Sequence, residues 1–453
     1  MHKPYEYFLQ RLNEDFFQSV AQCTNMRGVA QTGKSLATDS REIKKFFGAC
    51  IYTTLIGYPR LKMFWSAGTR IPMIANNISR NRFFEIRTNL KVVDDNSVPE
   101  EDRKKDRFWK VRPMLDIVRQ SCLQTPRPLN ISIDEQMIPF YGHVSMRQYV
   151  RGKPCPVGLK LFDIASDCGL PLDFVMYQGK GTGFNSIVAP TPENLDIGGK
   201  AVLKLCDTLP AGSSIFIDRY FTSVSLLDEL LNRNILASGT IMSNRIPKKI
   251  TFINDTTLKK AGRGSHDQVV RQDDKISLIK WYDSKGIHLA SIQFGVQPIG
   301  ECRRWSKKDN KYITVNRPHV VSQYNTYLGS IDLLDRVIAK YAIRTSTGMW
   351  TKRTIFNFFD FCLAAAWLQY RSEAQQPESG LQKKEILDYF HFRLDVAENL
   401  IHSADLTRQD NFPGDENEED QNNVPKRRKI MPVPHEAARK SQSIHMPENV
   451  SGE

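Results

Sequence analysis

The sequence lacks closely spaced cysteine pairs. Its eight cysteines are scattered from Cys23 to Cys362, and no Cys-x-x-Cys pair occurs among them. Because zinc fingers and zinc ribbons need such pairs, the spacing argues against a zinc module within these residues. Scattered cysteines are typical of buried, reduced thiols, so the sequence favours an intracellular protein without a disulfide framework.

The sequence also lacks a secretory signal and a long apolar run. It starts with MHKPYEYFLQ, which has no basic segment followed by apolar residues. The longest apolar stretch, residues 355–370, contains Asn357 and Asp360 and is too short to span a bilayer. We therefore predict a protein with no membrane partner that functions in the cytosol or the nucleus.

Acidic residues are in deficit relative to basic ones. The net charge is +13 and the isoelectric point is about 9.2. This excess favours an anionic partner such as nucleic acid, although a basic soluble protein with solvated lysines has the same composition. The 453 residues are enough for two to four domains.

The chain divides into five regions by residue pattern. Long amphipathic periodicity predicts a helical region over residues 1–125, and short strand patterns predict an α/β region over 126–243. Residues 244–320 have basic, glycine-rich loops and short strands, which suggests an inserted subdomain. Helical periodicity returns over 321–400. Residues 401–453 are polar with blocks of charge, so we expect a disordered tail.

The α/β region predicts a mixed five-stranded sheet with helices on its faces. Its elements follow the order β-β-β-α-β-α-β, in which an antiparallel meander precedes parallel crossovers. Ser79 and Ser223 are placed to cap helices. The predicted strands contain NISIDEQMI, LKLFDIAS, LDFVMYQG, SSIFIDRYF and ILASGTI, and the helices contain GGKAVLKLCDTL and SVSLLDELLNRN.

Carboxylates stand at informative positions in this pattern. Asp134 lies in the first strand, Asp218 ends the fourth, and Asp332 starts a later helix with Asp335 three residues on. Neighbouring first and fourth strands would bring these side chains together. Two carboxylates about 4 Å apart repel by roughly 4 kcal/mol at an effective dielectric near 20, so such a cluster needs a raised pKa or a divalent cation. Glu135, the next residue along the strand, is expected to point to the other face.

Each aspartate also has a simpler interpretation. Asp218 could end a strand and open a turn, Asp332 could cap a helix, and Asp134 could pair with an arginine. The convergence of all three in one topology favours a Mg²⁺ or Mn²⁺ site that serves phosphoryl transfer.

Three long blocks of the sequence resemble the piggyBac transposase family. The first runs from SIDEQMIPFYGH to VMYQGKGTG, the second is IFIDRYFTSVSLLDELLNRNILASGTIMSNR, and the third runs from NRPHVVSQYNTYLGSIDLLDR to GMWTKR. The segment TNMRGVAQ is also similar to the family's amino-terminal region. The resemblance covers roughly residues 4–400, with motifs too long and specific to arise by chance.

The resemblance implies a fold and a reaction. It implies a ribonuclease H-like catalytic core with an insertion between the second and third catalytic aspartates, and a flanking helical domain for dimerisation and DNA binding. By motif, the metal-binding aspartates are Asp134, Asp218 and Asp332, with Asp335 as an additional acid. The implied activity is DNA cleavage and strand transfer, in which the terminal repeats of an element are cut and joined at TTAA sites by a nuclear homodimer that uses Mg²⁺ or Mn²⁺.

Seven residues near these motifs are predicted to bind DNA. Trp350 could stack on a splayed base, or it could belong to the core. The other six are cations that could bind phosphates or form a solvated face. The predicted residues are Arg151, Lys153, Arg219, Arg344, Trp350, Lys352 and Arg353.

Three departures from the family pattern leave a second hypothesis open. Arg219 stands where Asn is common, Ser330 stands where Gly is common, and the family's cysteine-rich carboxy-terminal module is expected to be missing. The chain could therefore be a catalytically inactive, domesticated DNA-binding or scaffold protein. The basic cluster Pro425–Lys429 predicts nuclear localisation, or is simply a charged tail.

Overall fold

Seven helices form the amino-terminal region of the protein, as its periodicity predicts. The computed structural model describes residues 2–179, 182–184, 195–345 and 347–402. The predicted cap Ser79 is confirmed, because its side chain accepts a hydrogen bond from the backbone of Arg82. The helices are α1 Pro4–Leu9, α2 Glu14–Thr32, α3 Ser40–Ile56, α4 Pro72–Ala75, α5 Arg80–Asn89, α6 Glu100–Lys105 and α7 Arg112–Leu123.

The predicted order of strands and helices is confirmed over residues 130–240, with one short strand added after the first. Ser223 caps its helix as predicted, accepting a hydrogen bond from the backbone of Leu226. The elements are β1 Asn130–Pro139, β2 Arg147–Tyr149, β3 Val157–Ser166, β4 Pro171–Met176, α8 Ile197–Cys206, β5 Ser214–Ile217, α9 Val224–Asn232 and β6 Leu236–Thr240.

The sheet is mixed, as predicted. β3 runs antiparallel to β1 along almost its whole length, and β5 runs parallel to β1 on the other side. β6 lies parallel to β5, while β2 and β4 pair with the outer edge of β3. The pairing of β1 with β5 ends where Ile133 lies opposite Ile217.

The sheet is larger than the predicted five strands, because strands of the inserted segment continue it. β9 pairs antiparallel with β6, and β8 and β7 follow to give nine strands. This extension covers the edge of β6, which would otherwise expose unpaired backbone groups. The inserted elements are α10 Asp255–Ala261, β7 His266–Val270, β8 Ser277–Tyr282 and β9 Gly286–Ser291, followed by a separate ribbon of β10 Gly300–Ser306 and β11 Lys311–Arg317.

Helices return after the insertion and pack on those of the amino-terminal region. α12 lies on β1 and β3, α13 contacts α1, and α14 contacts α3. The rings of Phe47 and Phe359 stack at 4.3 Å between their centroids. The helices are α11 His319–Tyr327, α12 Ser330–Lys340, α13 Trp350–Ala374 and α14 Tyr389–His402. Among the described residues, none of the helices has the length and apolar character needed to cross a membrane.

The sheet separates two apolar clusters. Ile138 and Leu161 belong to the cluster built with α12 and α13, whereas Ile133 and Phe162 belong to the cluster built with α8 and α9. Because side chains alternate along a strand, Asp134 is on the α12 side of β1. The first two residues of the predicted tail, Ile401 and His402, end α14. The rest, with its basic cluster Pro425–Lys429, lies outside the described residues.

Candidate functional site

Asp134 and Asp218 lie together at one edge of the paired strands. β5 matches β1 only as far as Ile217, so Asp134 and Asp218 are the first residues beyond the paired region on their two strands. Parallel strands present their carboxyl ends at the same edge of a sheet, where ligands of α/β proteins commonly bind. The topology therefore brings together two residues that are 84 positions apart in the sequence.

Glu135 joins these two aspartates, contrary to its expected position. Asp134, Glu135 and Asp218 each offer a carboxylate oxygen, and the three oxygens lie within 4.8 Å of one another. Alternation still assigns Glu135 to the opposite face of β1 from Asp134. Since β5 ends at Ile217, none of the described strands flanks β1 beside Glu135 on this edge, and the side chain of Glu135 can reach the same site.

The carboxylate of Glu135 is buried and incompletely satisfied. The residue is 7% exposed, and its Oε2 atom is buried with no hydrogen-bond partner among the described residues. A buried carboxylate oxygen without a partner is costly, so it is an informative feature of a folded protein.

Lys153 supplies positive charge to the cluster. Its Nζ atom lies 3.4 Å from Oδ2 of Asp134 and donates a hydrogen bond of 2.8 Å to the backbone carbonyl of Glu135. That carbonyl belongs to the unpaired edge of β1. Lys153, which the sequence predicts as a DNA-binding residue, therefore also compensates the carboxylates and satisfies the open strand edge.

The protonation of the cluster is shifted by its environment. Burial raises the pKa of Asp134 to about 7, with Lys153 acting in the opposite direction and Glu135 adding to the increase. The pKa of Asp218 is also raised, first by burial and then by the charge of Asp134. The cluster therefore favours protons or cations at its carboxylates.

The two acids of α12, Asp332 and Asp335, lie outside this cluster. Asp332 is exposed and does not belong to the group of carboxylates that Asp134, Glu135 and Asp218 form within the described residues. Asp335 faces the sheet and accepts a hydrogen bond of 2.6 Å from Nε2 of Gln136, and burial raises its pKa to about 6. The structure thus unites two of the three predicted aspartates and leaves the role of Asp332 a prediction.

The sequence interpretation did not consider Asp163. This residue lies directly opposite Asp134 on β3, is fully buried, and has an Oδ2 atom without a partner among the described residues. Burial raises the pKa of Asp163 well above its usual value, which favours its protonated form. The signal was present in the strand LKLFDIAS, where one acidic residue interrupts an apolar run.

The predicted DNA-binding residues fall into two groups. Arg151 shares a turn with Lys153, and Arg219 follows Asp218; both arginines are exposed. The second group surrounds the start of α13, where exposed Arg344 precedes the helix and Trp350 begins it.

The side chains at the start of α13 have specific partners. The ring of Trp350 contacts Phe108 edge to face at 5.8 Å, so it is packed on the helical core rather than free. Arg353 donates to the backbone of Pro139 at 2.9 Å, which joins α13 to the end of β1. Lys352 donates to the backbone of Thr88 at 2.7 Å.

The sequence pattern did not predict two further cations that lie near Lys352. Burial lowers the pKa of Lys352 to about 8, and the charges of Arg27 and Arg87 lower it further in the same direction. These arginines come from α2 and α5, far from α13 in the sequence. Arg87 and Lys352 line one cavity of 230 Å³, and the charge of Arg27 also acts on Lys352.

The carboxylate cluster fits a divalent cation. Oxygen ligands are those that Mg²⁺ and Mn²⁺ prefer, and the three carboxylates with the unpartnered Oε2 of Glu135 supply them from one edge of the sheet. The protein is therefore a mixed α/β protein with a carboxylate cluster where the pairing of β1 and β5 ends.

Comparisons with known proteins identify the family. A family model described as Transposase IS4 matches residues 3–367. The human PiggyBac transposable element-derived protein 3 is 28% identical over 390 residues, covering 84% of this chain and 63% of its own length. The human PiggyBac transposable element-derived protein 2 is 30% identical over 389 residues, covering 84% and 62%. The chain belongs to the IS4 transposase family, among its piggyBac-type members.

The fold is shared with a solved transposase. A cryo-EM structure of a piggyBac transposase synaptic complex with hairpin DNA aligns with a TM-score of 0.73 at 20% identity, covering 89% of this chain and 81% of the other. This similarity confirms the predicted ribonuclease H-like core. The chain spans less than two thirds of the length of the two human relatives.

Proposed function

We propose that this protein cleaves DNA strands and transfers them to a new site in a reaction that depends on a divalent metal. The observation that carries the proposal is the cluster of Asp134, Glu135 and Asp218, in which one buried oxygen has no hydrogen-bond partner in the described part of the chain. These residues would hold Mg²⁺ or Mn²⁺, and Asp332 and Asp335 from α12 would join them in the DNA complex. A cation bound there supplies the positive charge that stabilises a phosphoryl transfer.

The chain's own residues would position the DNA. Lys153 neutralises Asp134 and is placed to contact a phosphate, while exposed Arg151 and Arg219 extend the positive charge around the cluster. Arg344, Lys352 and Arg353 would contact the duplex at the start of α13, where Trp350 is part of the helical core. By family membership, the substrates would be the terminal repeats of an element and TTAA target sites, bound by a nuclear homodimer.

The proposal is tested by nicking of supercoiled DNA in Mg²⁺. We expect the native chain to nick the plasmid and Asp218→Asn to lose at least about 100-fold in rate, because removing one member of an acting cluster abolishes most of its catalysis. The matched control is Asp273→Asn, in which the same change is made at an exposed acid of the β7–β8 turn, and it should behave as the native chain. Equal rates for all three proteins eliminate the catalytic proposal.

One observation favours the alternative, a catalytically inactive DNA-binding protein. Lys153 already provides the cluster with a positive charge, so the carboxylates are partly compensated without a metal. In that case the chain would bind DNA with the same affinity in Mg²⁺ and in a chelator, and no variant of the cluster would change DNA integrity.

A further inference from the structure

The two-stranded ribbon of the insertion has two different faces. β10 and β11 pair from Gly300 opposite Arg317 to Ser306 opposite Lys311, so alternate residues share a face. The inner face carries Cys302, Ile313 and Val315, which pack against the apolar cluster of the insertion. The outer-face residues are mostly exposed: Glu301, Arg303, Trp305, Tyr312, Thr314 and Asn316.

The inner face fixes the ribbon to the main sheet. Asp283 accepts hydrogen bonds from Arg263 at 2.8 Å and from Arg304 at 3.1 Å. The indole Nε1 of Trp281 on β8 donates to the backbone of Asn316 at 3.0 Å. The ribbon is therefore anchored from both of its strands, and the outer face is held in a defined position.

An exposed aromatic pair stands on the outer face. Trp305 lies directly opposite Tyr312, their rings meet edge to face at 5.2 Å, and they are 46% and 59% exposed. The guanidinium of Arg303 lies over the ring of Tyr312 at 5.0 Å from its centroid. Large aromatic side chains that remain exposed side by side commonly mark an interaction surface.

The charge around this pair is predominantly positive. Arg303 and the residues Lys307, Lys308 and Lys311 at the end of the ribbon are exposed. Of the two acids, Asp309 accepts a hydrogen bond from the hydroxyl of Ser306, which leaves Glu301 at the opposite end. Exposed aromatic rings among cations are the arrangement that binds nucleic acid with unpaired bases, because each base offers a π-face and each phosphate a negative charge.

We propose that the outer face of the β10–β11 ribbon binds DNA at unpaired bases, an inference that rests on the proposed DNA-directed function. Trp305 and Tyr312 stack on bases, while Arg303 and the turn lysines bind the adjoining phosphates. The aromatic faces would contribute little to a fully paired duplex, in which the base faces are covered by their neighbours, so the ribbon should distinguish unpaired from paired DNA.

The experiment is DNA binding by fluorescence anisotropy, in a chelator so that no strand is cut. The probes are a blunt duplex and the same duplex with an unpaired thymidine tail. We expect Trp305→Ala to weaken binding to the tailed probe by about tenfold and to the blunt probe by about twofold or less. Trp305→Phe, which keeps a ring, should restore most of the affinity. Unchanged affinity of Trp305→Ala for the tailed probe overturns the proposal.

The lysines are tested separately by their salt dependence. Affinity for DNA falls as salt rises, and replacing Lys307 and Lys308 together by alanine should make this fall shallower, reducing the magnitude of the slope of log affinity against log salt by about 2 on both probes. The matched control replaces Lys383 and Lys384, another exposed adjacent pair, and should leave the slope unchanged. Equal effects of the two double variants would mean that net charge alone acts, which also overturns the proposal.

The outcomes separate this inference from the proposed reaction. Should Trp305→Ala fail to fold, as judged by thermal unfolding, Tyr312→Leu tests the same face with a smaller change. Binding that depends on Trp305 in a chain that never nicks DNA supports the ribbon and rejects the reaction. If the chain nicks DNA but binds both probes equally well with and without Trp305, the reaction is supported and the ribbon proposal is rejected. A ribbon that binds an acidic protein instead would leave the affinity for both probes unchanged.

Discussion

The Nζ atom of Lys153 lies 3.4 Å from Oδ2 of Asp134, at the edge of the carboxylate cluster. The lysine reaches this position from the turn between β2 and β3, whereas the carboxylates belong to the middle of β1 and to the residue after β5. A cation here lowers the repulsion among the acids, but it also opposes the binding of a second cation. Lys153 therefore determines how strongly the cluster needs a metal.

Removing this lysine should strengthen metal binding. In Lys153→Met the carboxylates lose their internal counter-charge, so we expect the affinity for Mn²⁺ to rise about threefold to tenfold, in line with the loss of one nearby like charge. Isothermal titration of the DNA-free chain measures it, with Lys260→Met as the control at an exposed position of α10. Weaker binding in Lys153→Met would mean that the lysine chiefly holds the open edge of β1 in shape.

Asp134 should make the stability of the metal-free chain depend on pH. The pKa of Asp134 is raised to about 7 in the folded chain, against about 4 for an unfolded aspartate. Between these values the folded state binds more protons, so the free energy of unfolding falls as the pH rises from 4 to 7. We expect the decline to be about 1–3 kcal/mol smaller in Asp134→Asn, since each pKa unit corresponds to about 1.4 kcal/mol.

Urea unfolding of the two proteins across this pH range measures the difference. Asp335 contributes a decline of the same sign, because burial raises its pKa to about 6, so the variant should retain part of the slope. Parallel curves for the native chain and Asp134→Asn would contradict the raised pKa of Asp134.

Local pattern in the sequence was sufficient to predict the frame of the site. The alternation of β1 and the apolar run of β5 predicted two neighbouring strands that bring Asp134 and Asp218 together, and the structure contains both strands in parallel pairing. The caps Ser79 and Ser223 were also predictable, because a hydroxyl before an amphipathic run is a local signal.

The remaining features depend on where strands stop and how helices turn, which no short pattern specifies. Glu135 reaches the cluster because β5 ends at Ile217, and only the register of the folded sheet determines that limit. The exposure of Asp332 depends on the rotation of α12 over the sheet, which places Asp335 against Gln136 instead. Arg27 and Arg87 approach Lys352 only through tertiary packing of three helices.

Substitutions of Glu135 and Asp332 should have different effects on Mn²⁺ binding. In the DNA-free chain, Glu135→Gln should weaken Mn²⁺ binding at least about tenfold, because loss of even an outer partner of a metal ligand costs about 10- to 100-fold. Asp332→Asn should change it by about twofold or less. Plasmid nicking should be lost in both variants if Asp332 acts in the DNA complex. Calorimetry measures the Mn²⁺ affinity of each variant, and the nicking assay measures its activity. Identical Mn²⁺ affinities for the native chain and Glu135→Gln would remove Glu135 from the metal site.

Gly239 is required for the conformation around Asp218. A Cβ atom at this position would lie 2.3 Å from Oγ1 of Thr222 and 2.5 Å from the carbonyl of Ile217. Thr222 donates its hydroxyl proton to the carbonyl of Asp218 at 2.8 Å, so displacing it disturbs the turn that presents the aspartate. Gly239→Ala should therefore cost about 1–3 kcal/mol in stability and also weaken Mn²⁺ binding.

Thermal unfolding and metal titration of Gly239→Ala test both effects. Gly68→Ala is the matched control, because Gly68 is exposed, has an ordinary backbone conformation, and has no atom within 4 Å of its added Cβ. A variant that loses stability but binds Mn²⁺ as the native chain does would show that the turn at Asp218 tolerates the shift.

Lys352 should make DNA binding depend on pH between 7 and 9.5. Burial and the neighbouring Arg27 and Arg87 lower its pKa to about 8, so its charge is present below that pH and is lost above it. We expect the affinity for a blunt duplex to fall about threefold to tenfold over this range, as one phosphate contact disappears.

The pH dependence that Lys352 gives to folding stability has the opposite sign to the one it gives to DNA binding. An unfolded lysine titrates near 10.4, so the unfolded state of the DNA-free chain binds more protons between 8 and 10.4, and the contribution of Lys352 to the free energy of unfolding rises with pH there. Lys352→Arg keeps its charge throughout, and it should reduce both dependences, whereas Lys384→Arg on an exposed surface should change neither. Anisotropy and urea unfolding at matched pH values measure the two trends. If the affinity of Lys352→Arg declined as steeply as that of the native chain, the pH dependence would have to arise from another group, and Lys352 would not contact the phosphates.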